Sequence, residues 1–429
     1  MRKHQIQHES VPPENPQSNI ASPSRRSQQR ASRYTKTSAT GLVLLCCLMY
    51  FLFDVYSRVP KRSGNNHDRP SSDLSNYSET IFLPYTKPFR TENVPCVHAT
   101  IDGVDLRLPV DTGSTGLFIG APKLPNVETR GAPRGYQYLT SSWLLYTGHI
   151  VDLPITFHGL NGENAISTVP VLIVTRSVKC KWYNPTKDAG RCPPHPTDPS
   201  IKPIERDTSK IIYMGIGFGR NRVNDDRAIT VPRGNPFLNI SVLNGRAIRP
   251  SLFRAGYTIS TEGIQLGLTA ANTQDFVFTD LERGASHDSD PRDWAMVGMC
   301  LRLNDGGKHC GSALIDTGIS QMYIRTAVGA KLPTITVPNP KGGGYVKRVP
   351  AGTKIAVGIP KFNGVAGYSF IVGKGILGEP EYVVPAKQPA PPYVNTGRNF
   401  LFRYSVAFDA IGGRFGFKSL LPDSSSSKM

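Results

Sequence analysis

The sequence predicts an all-β protein built as two lobes, and three observations carry that reading. Gly (41) and Pro (36) punctuate the 429 residues too often for long helices. Between them lie short runs of alternating apolar and polar residues, such as "HATIDGVDLRLPV" (98–110), "HIVDLPITFHG" (149–159) and "EGIQLGLT" (262–269). That period of two is the mark of half-buried strands. Finally, one motif is nearly written twice: "LPVDTGSTGLFIG" at 108–120 and "ALIDTGISQMYIR" at 313–325. The copies stand about 200 residues apart, the size of one domain, so each belongs to its own lobe.

Residues 1–38 form a polar, Ser/Gln/Pro-rich basic leader, a composition that leaves no apolar surface to bury. Residues 39–56 contain the one long uncharged apolar run, "GLVLLCCLMYFLF". With its flanks it approaches the roughly 20 residues that a membrane span needs. The leader is too long for an ordinary cleaved signal peptide. Arg25, Arg26, Arg30, Arg33 and Lys36 hold that side in the cytosol. The expectation is a signal anchor in the membrane with the rest of the chain lumenal or extracellular, at the cell surface or in a vacuole. Residues 57–80 read as a flexible stalk. The folded part is expected over 81–421, with an N-lobe at about 81–255 and a C-lobe at about 256–421, before a Ser-rich tail at 422–429.

Two further features suit an oxidising, lumenal side. Asn76-Tyr77-Ser78 and Asn239-Ile240-Ser241 are acceptor sequons for N-glycans. Cys180 and Cys192 flank a Pro-containing loop, while Cys300 and Cys310 flank a turn centred on Asn304, Asp305, Gly306 and Gly307. Each pair is expected as a disulfide, since both loops keep their ends close. No CxxC spacing supports zinc, and Cys96 is left over. The net charge of +18 comes from scattered bases, without a basic helix or an aromatic RNA-binding motif. A nucleic-acid partner is therefore not expected.

The repeated motif carries the chemistry. Two carboxyls held about 3 Å apart cannot both ionise, so one serves as base and the other as acid. Asp111 and Asp316 are the candidates. Gly113 and Gly318 let the main chain turn beneath each acid. Thr112 and Thr317 can hydrogen-bond across the pair, and Ser114 can donate to the outer oxygen of Asp111. A lone Asp-Thr-Gly is more often an ordinary strand-end turn; two of them, each between apolar strands, point to a dyad.

With these residues in view, the chain resembles the pepsin-like aspartic peptidases, and the divergent fungal forms in particular. In that family an apolar stretch ending in Gly closes each lobe, and "IIYMGIGFGR" (211–220) fits the first. The segment "NTGRNFLFRYSVAFDAIGGRFGFK" (395–418) fits the family's closing pattern through Gly397, Phe400, Leu401, Tyr404, Phe408, Asp409 and Gly416. "GILGEP" (375–380) matches only by coincidence. The resemblance spans residues 90–420. It implies a bilobal all-β fold, a cleft for an extended polypeptide, endopeptidase activity in acid, a monomer, and no metal or organic cofactor.

Three departures accompany it. Ile319 stands where the family has a hydroxyl or a small residue, which takes a donor from Asp316 and marks it as holder of the shared proton. The flap over the cleft is expected in "GYQYLTSSWLLYTGHIVDLPI" (135–155), with Tyr138 or Tyr146 as its tyrosine. Phe118 replaces the family's Trp. These departures keep a rival open, a catalytically silent relative that binds peptide or glycan at the cell surface. A weaker rival is a basic anchored protein held to wall polyanions.

Overall fold

Alternation decides which way each strand faces. In Cys96–Ile101, Val97, Ala99 and Ile101 are buried while His98 is exposed; in Val104–Pro109, Leu106 and Leu108 point inward and Asp105 and Arg107 outward. A strand covered on both faces has no such rhythm: all of Thr115–Gly120 is buried. The computed structural model describes residues 72–140, 142–219, 229–339, 344–387 and 390–421. The expected leader, the 39–56 anchor, the first part of the stalk and the 422–429 tail lie outside the described residues. Among the described residues no helix is long and apolar enough to cross a membrane.

The described fold is all-β, in three main sheets. The first has ten strands between residues 96 and 247, built on the long hairpin Leu144–His158 and Asn164–Lys179. Cys96–Ile101 and Val104–Pro109 extend it on one side. Thr115–Gly120 runs parallel to Asn164–Lys179 and antiparallel to Ile212–Ile216. The second sheet has seven strands between residues 297 and 395, centred on the hairpin Val297–Leu303 and Lys308–Leu314. The third, six-stranded, runs Ile81–Pro84, Gly263–Leu268, Arg254–Ile259, Tyr404–Asp409, Arg414–Ser419, Val277–Asp280. It draws strands from before the first motif and from after the second.

Asp409 lies fully buried in that third sheet. Arg254 approaches it at 2.9 Å and Arg414 at 2.7 Å, so the charge is paired on both sides. One position along, on the opposite face of the sheet, the rings of Tyr257, Phe408 and Phe415 pack together with Phe218.

One boundary differs from the sequence expectation. Residues 72–80, expected as the end of a stalk, are held to the body. Leu74 is buried, the amides of Ser78 and Glu79 both donate to the Leu252 carbonyl, and Glu79 pairs with Arg249 at 2.8 Å. A single apolar side chain and backbone donors suffice to dock a stretch whose composition reads as linker.

Both Cys pairs are joined. Cys300 and Cys310 face each other directly across the hairpin, with Cα atoms 4.0 Å apart, and Cys180 and Cys192 close their loop at 6.0 Å. Cys96 is free and half-buried.

Candidate active site

Each Asp-Thr-Gly follows a strand and turns beside its own sheet's closing segment. Val104–Pro109 leads to Asp111, which bridges Gly215 of the segment Ile212–Ile216. Lys308–Leu314 leads to Asp316, with Tyr393–Asn395 parallel beside it. The two turns then meet. Thr112 Oγ1 donates to the Ile315 carbonyl at 2.6 Å and accepts from the Thr317 amide at 3.0 Å. Thr317 Oγ1 donates to the Val110 carbonyl at 2.5 Å and accepts from the Thr112 amide at 3.0 Å. Both threonines are 1% exposed, so no water competes for these four bonds.

This latch brings the acids together. A Cβ on Gly113 would stand 2.4 Å from Asp316 Cγ, and one on Gly318 would stand 2.5 Å from Asp111 Oδ1. Each glycine is thus the floor against which the opposite carboxyl rests, and any other residue there collides. The same contact identifies Asp111 Oδ1 as the oxygen turned toward the second motif. On each acid Oδ1 takes the amide of its own glycine, at 2.7 Å from Gly113 and 2.8 Å from Gly318.

The Oδ2 oxygens are occupied from elsewhere. Asp111 Oδ2 accepts from Ser114 Oγ at 2.7 Å and from the Tyr213 hydroxyl at 2.7 Å. Asp316 Oδ2 accepts from Asn395 Nδ2 at 2.6 Å. The Asn395 amide is oriented by its other end, whose oxygen accepts from the Gly397 amide at 3.0 Å. Asp316 therefore does not lack a side-chain donor, as Ile319 led the sequence to suggest; the closing segment provides one. Burial, and after it the Asp111 charge, pushes the Tyr213 hydroxyl well above the ordinary tyrosine range, so it remains a donor.

Tyr213 and Asn395 were not singled out from the sequence. Both lie in the closing segments, 211–220 and 395–418, and each stands two residues before a glycine, Gly215 or Gly397. A polar residue inside an otherwise apolar closing run was the available signal. Arg398 was missed as well. It is 3% exposed and donates to the carbonyls of Thr317 (3.0 Å), Gly318 (2.8 Å) and Thr91 (2.6 Å), which braces the second turn from behind. Burial lowers its pKa, against the opposing pull of Asp316 and Asp111.

The hairpin expected as a flap is formed by Arg134–Leu139 and the start of Leu144–His158. Tyr138 does not reach toward the acids. Its hydroxyl donates to the Cys180 carbonyl at 3.0 Å and its ring packs 4.5 Å from Tyr183, beside the disulfide. Tyr146 is buried with Phe118, Leu172 and Ile211. With Tyr213 and Leu144 it lines a cavity of about 450 Å³ whose charged lining is Lys179, Arg206, Asp207 and Lys210. Tyr213 stacks on Phe118 at 5.4 Å, which holds its ring between that cavity and Asp111.

The two sequons differ in setting. Asn76 is exposed in a turn. Asn239 Nδ2 donates to the carbonyls of Asn235 (2.7 Å), Pro232 (2.8 Å) and Arg233 (3.1 Å), bonds that an attached glycan would have to break.

No family model matches the chain, and no curated protein matches it. Among solved structures it is similar to the aspartic proteinase from Irpex lacteus, at 13% sequence identity and a TM-score of 0.44, over 80% of this chain and 97% of that one.

Proposed function

We propose that the protein is an aspartic-type endopeptidase of the pepsin-like kind, hydrolysing peptide bonds in acid with Asp111 and Asp316 as its dyad. The observation that carries this reading is the reciprocal Thr112–Thr317 latch, which sets two Asp-Thr-Gly turns face to face with each carboxyl on the other's glycine. An ordinary pair of strand-end turns needs neither the latch nor the close approach.

In this reading a water sits between the two Oδ1 oxygens. The ionised acid takes its proton while the protonated acid polarises the scissile carbonyl, and the tetrahedral product collapses as the leaving amine is protonated. The side-chain donors on both Oδ2 oxygens fix the planes of the carboxyls, so little reorganisation is left for the chemical step. The cavity beside Tyr213 and Tyr146 suits one side chain of an extended peptide. The two disulfides support a lumenal or extracellular setting for this part of the chain.

Incubation of the full-length protein with a mixed peptide library from acid to neutral pH tests the proposal. Turnover is expected to peak in acid and to be blocked by pepstatin. Asp111→Asn and Asp316→Asn should each abolish it with unchanged unfolding behaviour, because the acids act as one unit. Turnover that persists in either variant refutes the dyad. Peptide binding without turnover, surviving both changes, would establish the silent relative instead.

A further inference from the structure

On the outer face of the first sheet, far along the strands from the dyad turn, three side chains with metal-ligand chemistry converge. Ala99 pairs with Phe157, which places His98 beside His158 on neighbouring antiparallel strands. Their rings stand 4.5 Å apart. Thr100 pairs with Asp105 on the other neighbour, and Asp105 Oδ1 lies 3.7 Å from His98 Nε2. One ligand atom from each of the three lies within 4.8 Å of the others. The Thr100 hydroxyl sits among them, 2.7 Å from Asp105 Oδ1 and 2.7 Å from His158 Nε2.

We propose that His98, His158 and Asp105 form a binding site for a divalent transition-metal ion of the zinc class, with water in the remaining position. Two neutral imidazoles and one carboxylate are the donor set such ions take in open sites. Zinc bonds of about 2.0–2.2 Å put ligand atoms roughly 3.3 Å apart in a tetrahedron. Rotation of the exposed His98 and Asp105 side chains closes the remaining gap, while the strand register already fixes all three backbones. Thr100 would then leave His158 and keep its bond to Asp105, orienting the carboxylate from outside. Arg107, opposite His98 on its other side, is exposed on a long stem that can swing away.

The three ligands come from three adjacent strands, one of which, Val104–Pro109, runs into Asp111. A bound ion would cross-link those strands and stabilise the folded state by mass action. The site is independent of the proposed hydrolysis, and so is its test.

Titrate the full-length protein with zinc chloride at pH 7.5 in a non-coordinating buffer, by calorimetry and by thermal unfolding. One ion per chain is expected, with a rise in Tm. His98→Ala and His158→Ala should each weaken binding at least about tenfold and remove the rise. Asp105→Asn should weaken it less, and His195→Ala and His309→Ala not at all. All five positions are wholly or partly exposed, and unchanged Tm without zinc verifies the fold of each variant. Affinity unaltered in His98→Ala and His158→Ala, or no binding at about 100 µM zinc, overturns the proposal.

Discussion

Replacing Thr317 by Val keeps the shape of the side chain and deletes two bonds of the latch. The Val110 carbonyl loses its 2.5 Å donor and the Thr112 amide loses its 3.0 Å acceptor, in a place 1% exposed where water cannot replace them. A buried polar group left unpaired costs about 1–3 kcal/mol, so the pair amounts to about 2–6 kcal/mol. For a body of roughly 350 residues the unfolding entropy is about 0.7 kcal/mol per kelvin, which converts that loss to about 3–8 °C in Tm. The same bonds hold the two acids opposite each other, and a misplacement of about 1 Å costs on the order of 100-fold in rate. Thr317→Ser keeps the hydroxyl and removes one methyl, a loss of about 1 kcal/mol and about 1–2 °C. Calorimetric Tm and kcat/KM on one peptide, measured for both variants, decide the matter. If Thr317→Val unfolds within about 1 °C of the wild type and cleaves at a comparable rate, the latch is not what holds the site.

Tyr213→Phe removes one of two hydroxyl donors from Asp111 Oδ2 and should lower kcat/KM about tenfold. Because that donor favours the ionised form of Asp111, the loss should be greatest at the acid end of the profile; a loss confined to the neutral end refutes the role. Asn395→Leu should lower activity on the same scale, and adding Ile319→Thr should restore part of it, since residue 319 follows Asp316 as Ser114 follows Asp111. In the wild-type background Ile319→Thr should then change little, whereas a large gain would mean that Asn395 does not serve Asp316. Asn76→Gln should abolish a glycosidase-sensitive mobility shift that Asn239→Gln leaves intact, and the reverse result would show that the Asn239 bonds open.

What was legible in the sequence was local. The Asp-Thr-Gly turns, their glycines and Thr112/Thr317 announce themselves because the turn and its chemistry fit in a few residues. Cys300 and Cys310 were readable for the same reason, being opposite one another across a short hairpin. Tyr213 and Asn395 were not, because their role exists only once each closing segment lies beside its turn, a pairing across 102 residues for Tyr213 and 79 for Asn395. The packing role of Tyr138 is not legible either, since a hairpin tyrosine carries no sign of its partner, here a carbonyl of the disulfide loop. Leu74 docked a segment that composition assigned to a stalk, because composition averages over the one residue that mattered.

The six-stranded sheet bears on what a proteolytic nick would do. Arg254–Ile259 and Tyr404–Asp409 are hydrogen-bonded neighbours, and Arg254 reaches across to Asp409. A cut in the turn after Leu268 would put these two strands in different pieces of the chain, yet this seam would still join them without a covalent link. Each fragment alone would expose a sheet edge, and the first would leave the buried Arg254 without its counterion, while Asp409 in the second would keep Arg414. The halves should therefore migrate together until denatured, and complement each other when co-expressed.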